Sequence, residues 1–107
     1  NSHGHILRWV EAGNSAAATA FQWEVFLLAG DPRLVAENLK GNINGDTFSS
    51  PDGLGVDPQG RLWVQTDQAG DASGDWVHIG ANCMVCADPN TGTTSVTTRS
   101  MPDPSVT

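Results

Sequence analysis

Two short turns constrain this chain more than any other feature. DPQG (57–60) and DPNTG (88–92) each stand between two short runs of apolar and β-branched residues. Proline fixes the backbone angle of the second turn position, and glycine supplies a left-handed conformation near the end, so each turn reverses the chain within a few residues. Each therefore joins two antiparallel strands into a hairpin: GLGVD (53–57) to RLWVQTD (61–67), and CMVCAD (83–88) to TTSVTTR (93–99). Asp57 and Asp88 read as caps on the backbone of their own turns.

Two further runs precede these hairpins. HILRWV (5–10) alternates along its length, and FQWEVFLL (21–28) puts Phe21, Trp23, Val25 and Leu27 on one face. Both have the period-two pattern of a strand. The helical prospect is PRLVAENLK (32–40), two turns with Asp31 as cap and Pro32 at the first position. The fold class is accordingly all-β.

Residues 53–99 run strand, tight turn, strand, long loop, strand, tight turn, strand. Such a four-stranded antiparallel meander is one blade of a β-propeller. Residues 1–29 give strand, loop, strand and match the outer half of a preceding blade; residues 30–52 form a long connection, and 100–107 a disordered tail. The chain thus reads as one and a half blades. Propellers close with about four to eight blades, so the expectation is a piece of a longer protein whose remaining blades complete the ring. A lone blade cannot cover its large side chains, and Trp9, Phe21, Trp23, Phe26 and Trp63 are expected to stay partly wet.

Charge narrows the partners. Twelve acidic against five basic side chains give a formal net charge of −7 over 107 residues. Nucleic acid is not expected as a partner, because binding it needs clustered Lys and Arg. No apolar run approaches the ~18 residues of a membrane span, and no basic-then-apolar leader heads the chain, which starts at Asn1. No P-loop, G-x-S-x-G element or Ser-His-Asp spacing is present.

The meander sorts the acids. Successive loops alternate between the two ends of the strands, so the tight turns share one end. The long connections 30–52 and 68–81 share the other, bringing Asp46, Asp52, Asp67, Asp71 and Asp75 to one rim. Asn42, Asn44 and Asn82 fall there as well. Asp52 enters the innermost strand, which in a propeller lines the channel, and Asp67 leaves the second strand at the same end. Carboxylates gathered at one mouth repel one another unless a cation joins them, and hard cations such as calcium take oxygen ligands from carboxylates and amides. A solvated acidic rim is the alternative, and it is preferred for Asp71 and Asp75. Asp52 is the leading metal candidate.

Other reactive side chains read more plainly. Cys83 and Cys86 form a C-x-x-C, but on a strand residues three apart face opposite ways. A local disulfide is disfavoured, no further zinc ligands stand at a suitable spacing, and the pair reads as small apolar strand residues. His3 and His5 share one strand face by their i, i+2 spacing, and two His on one face can bind a transition metal. A structural role is favoured at the start of an outer strand.

The blocks HGHILRWVEAG, AATAFQWEVFLLAGDP, FSSPDGLGVDPQGRLWVQTD and CMVCADPNTG, in that order, resemble the PhoX-type alkaline phosphatases, a family of bacterial secreted propeller proteins. The resemblance covers roughly residues 3–92, and SPDGLGVDPQGRLWVQTD is its most specific block. It implies a six-bladed propeller with calcium and iron at the channel mouth, hydrolysing small-molecule phosphate monoesters in the periplasm or outside the cell. It carries Asp52 over as a metal-site residue, with Asp67 and Asn82 behind it. The chain departs from the family pattern at Gly55, where the family has Trp, and at Cys83 and Cys86. The Glu ligands and substrate-binding Arg of other blades lie outside it, so the catalytic residues are not assigned here and the fragment alone is expected to be inactive. The shorter PDG…D..G.LWV pattern also resembles gluconolactonase-like propellers, in which the Asp of the turn binds one divalent ion. A non-catalytic propeller that binds a ligand at the same mouth is the third reading.

Overall fold

The computed structural model describes residues 1–68, 79 and 82–99. Strands β1 (His5–Glu11) and β2 (Phe21–Leu28) pair antiparallel in a two-stranded sheet, joined through a short 3-10 turn at Ala12–Asn14. A five-stranded sheet holds the rest in the order β3-β7-β6-β5-β4. Its members are β3 (Asn44–Gly45), β4 (Pro51–Val56), β5 (Leu62–Thr66), β6 (Cys83–Ala87) and β7 (Thr93–Arg99). Strands β4 to β7 form the expected antiparallel meander, the four-stranded blade.

Both Asp-Pro turns work as the sequence implies. Asp57 Oδ1 accepts the N–H groups of Gln59 (2.9 Å) and Arg61 (3.0 Å), and Asp88 Oδ1 accepts that of Asn90 at 2.8 Å. These side chains satisfy turn backbone that the ladder leaves unpaired.

Alternation along β5 and β6 creates two unlike faces. On one, Val64 and Val85 are opposite each other and fully buried, with Cys83 and Ala87 beside them. The hairpin and its following loop close over this face with Ile6, Leu27, Ala29, Ile43 and Phe48, forming the core. Burial of each large apolar side chain there contributes about 1.5–3 kcal/mol. Arg8 ties the hairpin to the β6–β7 turn: its guanidinium lies 4.5 Å from the Phe26 ring centroid and donates to Pro89 O at 2.6 Å.

The other face carries Trp63, Gln65, Met84 and Cys86 and is half-open. Outer parts of the hairpin are wetter still: Trp9 is 56% exposed, Phe21 58% and Trp23 63%. These open apolar surfaces are what one and a half blades leave uncovered. Cys83 is buried and Cys86 half-buried on the opposite face, and both are free thiols, as the strand spacing requires.

Three local expectations need correction. The helix is a single turn, Glu37–Lys40. Asp31 spends its carboxylate on the Arg33 N–H (3.0 Å) and guanidinium (Nη2 2.6 Å), which holds residues 31–34 in a turn instead of a longer helix. His3 and His5 do not share a strand face. Gly4, at φ 90°, breaks the alternation between them, and β1 begins at His5, leaving His3 buried and His5 exposed. A fifth strand was also not foreseen: β3 adds to the outer edge, parallel to β7.

Candidate functional site

The rim forms where the long connections meet the sheet. Pro51 faces Thr66 in the β4–β5 ladder. One step earlier, the Asp67 N–H donates to Ser50 O at 2.9 Å. Asp52, second residue of β4, and Asp67, just past β5, therefore occupy the same end of the same strand pair. Both are exposed. The register then slips between Pro51 and Leu54. A bulge of this kind takes a residue out of the ladder and re-aims its side chain, and Asp52 lies within it. The neighbouring Gly53 lies against the Gln65 side chain, whose Oε1 would be 2.8 Å from a Cβ there. Strand β4 is the edge of the five-stranded sheet, so Asp52 stands on an edge strand.

Asn82 is at the same rim but is already engaged. Its Oδ1 accepts the Gln68 N–H at 2.7 Å and the Thr66 hydroxyl at 3.3 Å, and its Nδ2 donates to Gln68 O at 3.2 Å. It clamps the exit of β5 to the entry of β6. To ligate a metal through Oδ1 it would have to yield one of these bonds.

Asp46 is elsewhere. Its Oδ2 accepts the Val96 N–H at 2.8 Å, and its N–H donates to Thr94 O at 3.1 Å. It fastens β3 to the start of β7, next to a tight turn and at the far edge of the sheet from β4. The expected gathering of Asp46 with Asp52 does not occur, because the long connection crosses to the other sheet edge before returning. Asn44 goes with it, in β3, and Asn42 Oδ1 accepts the Leu28 N–H at 2.8 Å. Asp71 and Asp75 lie outside the described residues.

The entry to Asp52 is more tightly built than its sequence suggests. Phe48, Ser49 and His3 are each at most 1% exposed. His3 Nδ1 and Ser49 Oγ are 2.8 Å apart, and Ser49 Oγ is 3.1 Å from Ser50 Oγ. The Ser50 N–H donates to His3 O at 2.8 Å. Ser50 has φ 55°, a left-handed conformation that costs a non-glycine residue about 1–2 kcal/mol. Sequence reasoning missed this cluster. Its one signal was FSS (48–50), two small polar residues placed directly before the P-D-G bend.

Exposed carboxylates on one rim fit part of a hard-cation shell. Calcium takes six to eight oxygens as a rule of about that size, and among the described residues no group of three or more His, Cys, Asp or Glu is placed to hold an ion. Asp52 and Asp67 could supply two of the oxygens, with the remainder from elsewhere.

A family model described as Alkaline phosphatase PhoX matches residues 1–107. The chain belongs to the PhoX alkaline phosphatase family. Among solved structures it is similar to "Pseudomonas fluorescens PhoX in complex with vanadate, a transition state analogue", at 41% identity and a TM-score of 0.81. That match covers 90% of this chain and 17% of the other. No curated protein matches. Membership in the PhoX family accounts for the open surfaces: the chain is a blade and a half of a propeller-like fold, and 17% of a PhoX chain cannot close a ring on its own.

Proposed function

We propose that this chain forms the Asp52 rim of a metal-dependent phosphatase that hydrolyses small-molecule phosphate monoesters. The observation that carries this reading is the PhoX family match over the full 107 residues. The Pseudomonas fluorescens relative binds vanadate, which its description calls a transition state analogue. The same match favours a phosphatase over a lactonase-type propeller.

In this reading Asp52 and Asp67 present carboxylate oxygens to the metal site at the channel mouth, and Asn82 holds the β5–β6 junction beside them. The ions are calcium and iron, and when bound they polarise phosphoryl oxygens and stabilise the charge that develops during transfer. The bulge at Asp52 takes its side chain out of the ladder and makes it available to the mouth. The remaining blades supply the other ligands and the reacting groups, and the fragment alone does not turn over substrate. The location is periplasmic or secreted, in keeping with the family. Among the described residues no helix is long and apolar enough to cross a membrane.

The test is hydrolysis of p-nitrophenyl phosphate by the full-length protein, before and after chelation, with calcium then restored. Loss on chelation and recovery with calcium support the reading; turnover indifferent to chelator removes it. Asp52→Ala is expected to lower the calcium content of the purified protein. Unchanged content takes Asp52 out of the site.

A further inference from the structure

A buried histidine is more often a packing residue than a functional one, yet His3 meets the corner that delivers Asp52 at two points. Its carbonyl receives the Ser50 N–H at 2.8 Å, and its Nδ1 is 2.8 Å from Ser49 Oγ. Thus backbone and side chain of one residue grip two successive residues of the corner. Asp67 grips it from the opposite side, donating its N–H to Ser50 O at 2.9 Å. Next to His3, Gly4 packs against the following residue: a Cβ at Gly4 would lie 3.1 Å from Pro51 Cδ. The N-terminal segment is itself anchored, by Ala29 N–H to Gly4 O at 2.9 Å and Ser2 N–H to Asn38 O at 2.8 Å.

Ser50 sits in the left-handed region at φ 55°. Strained backbone of this sort persists only where its surroundings over-determine it, and it tends to occur where a functional group must be aimed. The surroundings here are His3, Ser49 and Asp67, and the residue aimed two positions on is Asp52.

We infer that His3 is a positioning residue for Asp52: it locks the Ser49–Ser50 corner so that the Asp52 carboxylate is presented to the metal site. This rests on the metal reading of Asp52. The locked corner removes conformations that calcium would otherwise have to select against, so its contribution appears as metal affinity. Groups that hold a ligand from behind commonly change affinity by about ten- to a hundredfold when removed.

The test uses the full-length protein, stripped of metal, with calcium binding followed by titration calorimetry. Thermal unfolding and amide hydrogen exchange at Asp67 are followed alongside. His3→Leu keeps apolar bulk and loses the hydrogen bond; His3→Asn puts an amide where Nδ1 was. His3→Leu is expected to weaken calcium binding about tenfold and to speed exchange at the Asp67 amide, and His3→Asn to restore most of both. If His3→Leu does not fold, Ser49→Ala and Ser50→Gly decide. The first removes the hydroxyl that meets His3 Nδ1 and the second frees the strained corner, so both are expected to weaken calcium several-fold in the folded protein, whatever the change in melting temperature. Calcium affinity unchanged in the folded variants overturns the inference while leaving Asp52 as a ligand. Affinity unchanged in Asp52→Asn overturns the metal reading itself, and the inference with it.

Discussion

Trp63 donates its indole N–H to Asp57 Oδ2 at 2.9 Å, across the turn that joins β4 to β5. The same carboxylate oxygen takes the Arg61 Nε–H at 2.7 Å. The indole hydrogen bond is the largest influence on Asp57, ahead of the opposing effect of burial and the bonds from Arg61, and together they lower its pKa from the ordinary 3.8 to about 2. A carboxyl depressed on folding contributes stability that is full above its unfolded pKa and disappears as pH falls through the folded one. The window is therefore pH 4 down to about 2. Trp63→Phe is expected to raise the Asp57 pKa from about 2 back toward 3.8, read from its carboxyl carbon by NMR titration. A value still near 2 would show that Arg61 alone holds the charge.

Much of this arrangement was readable in the sequence because each signal was local. Two Asp-Pro turns with a glycine marked both hairpins, period-two runs placed β1 and β2, and apolar and β-branched runs placed β6 and β7 almost to the residue. What failed to show depended on distant partners. Strand β3 has only Asn44 and Gly45, with no alternation to detect. Its pairing exists because Gly45 comes so close to β7 that a Cβ would lie 2.2 Å from Thr94 O. Asp46 looked like a rim acid because topology assigns loops to ends but not the path a long loop takes. His3 looked like a strand residue because nothing in SHGHI announces that Gly4 turns the chain inward. Asp52 was readable by pattern, as part of P-D-G before an apolar strand, whereas the buried corner that carries it was not.

The core and the open face should respond very differently to truncation. Phe48 is fully buried in the junction between hairpin and blade, while Leu54 on β4 is 54% exposed. Phe48→Ala is expected to destabilise by about 3–5 kcal/mol, the range for a buried phenyl replaced by a methyl. Leu54→Ala should fall within about 0.5 kcal/mol, as for a surface position. Urea unfolding of the two variants measures both, and equal losses would mean that the core does not lie between the hairpin and the Val64–Val85 face.

Asn82 gives a way to separate holding the rim together from binding at it. Its side chain makes hydrogen bonds to Thr66 and to both backbone groups of Gln68. Asn82→Ala leaves those groups without this partner, at a cost of about 1–3 kcal/mol. The expected result is a lower melting temperature with calcium affinity falling no further than the loss of folded protein explains. A large fall in affinity at unchanged stability would instead make Asn82 a direct ligand.

The exposed aromatic surface of the hairpin predicts how the isolated chain behaves in solution. Trp9 and Trp23 are directly paired across β1 and β2, and the Trp9 and Phe21 rings lie 6.5 Å apart at 57°. Wet aromatic side chains clustered this closely form a contiguous apolar patch of the kind that drives association. The formal charge of −7 opposes aggregation only weakly, since at physiological salt its repulsion is screened beyond about 8 Å. The chain alone is therefore expected to self-associate in sedimentation experiments, and increasingly so as salt is raised. Trp9→Lys with Trp23→Lys should shift it toward monomer without unfolding, because neither ring belongs to the core. In the complete protein the same double substitution is expected to be destabilising if a neighbouring blade covers this surface, and an unchanged melting temperature there would show that none does. Monomeric behaviour of the unsubstituted chain at high salt would show that the hairpin face needs no cover.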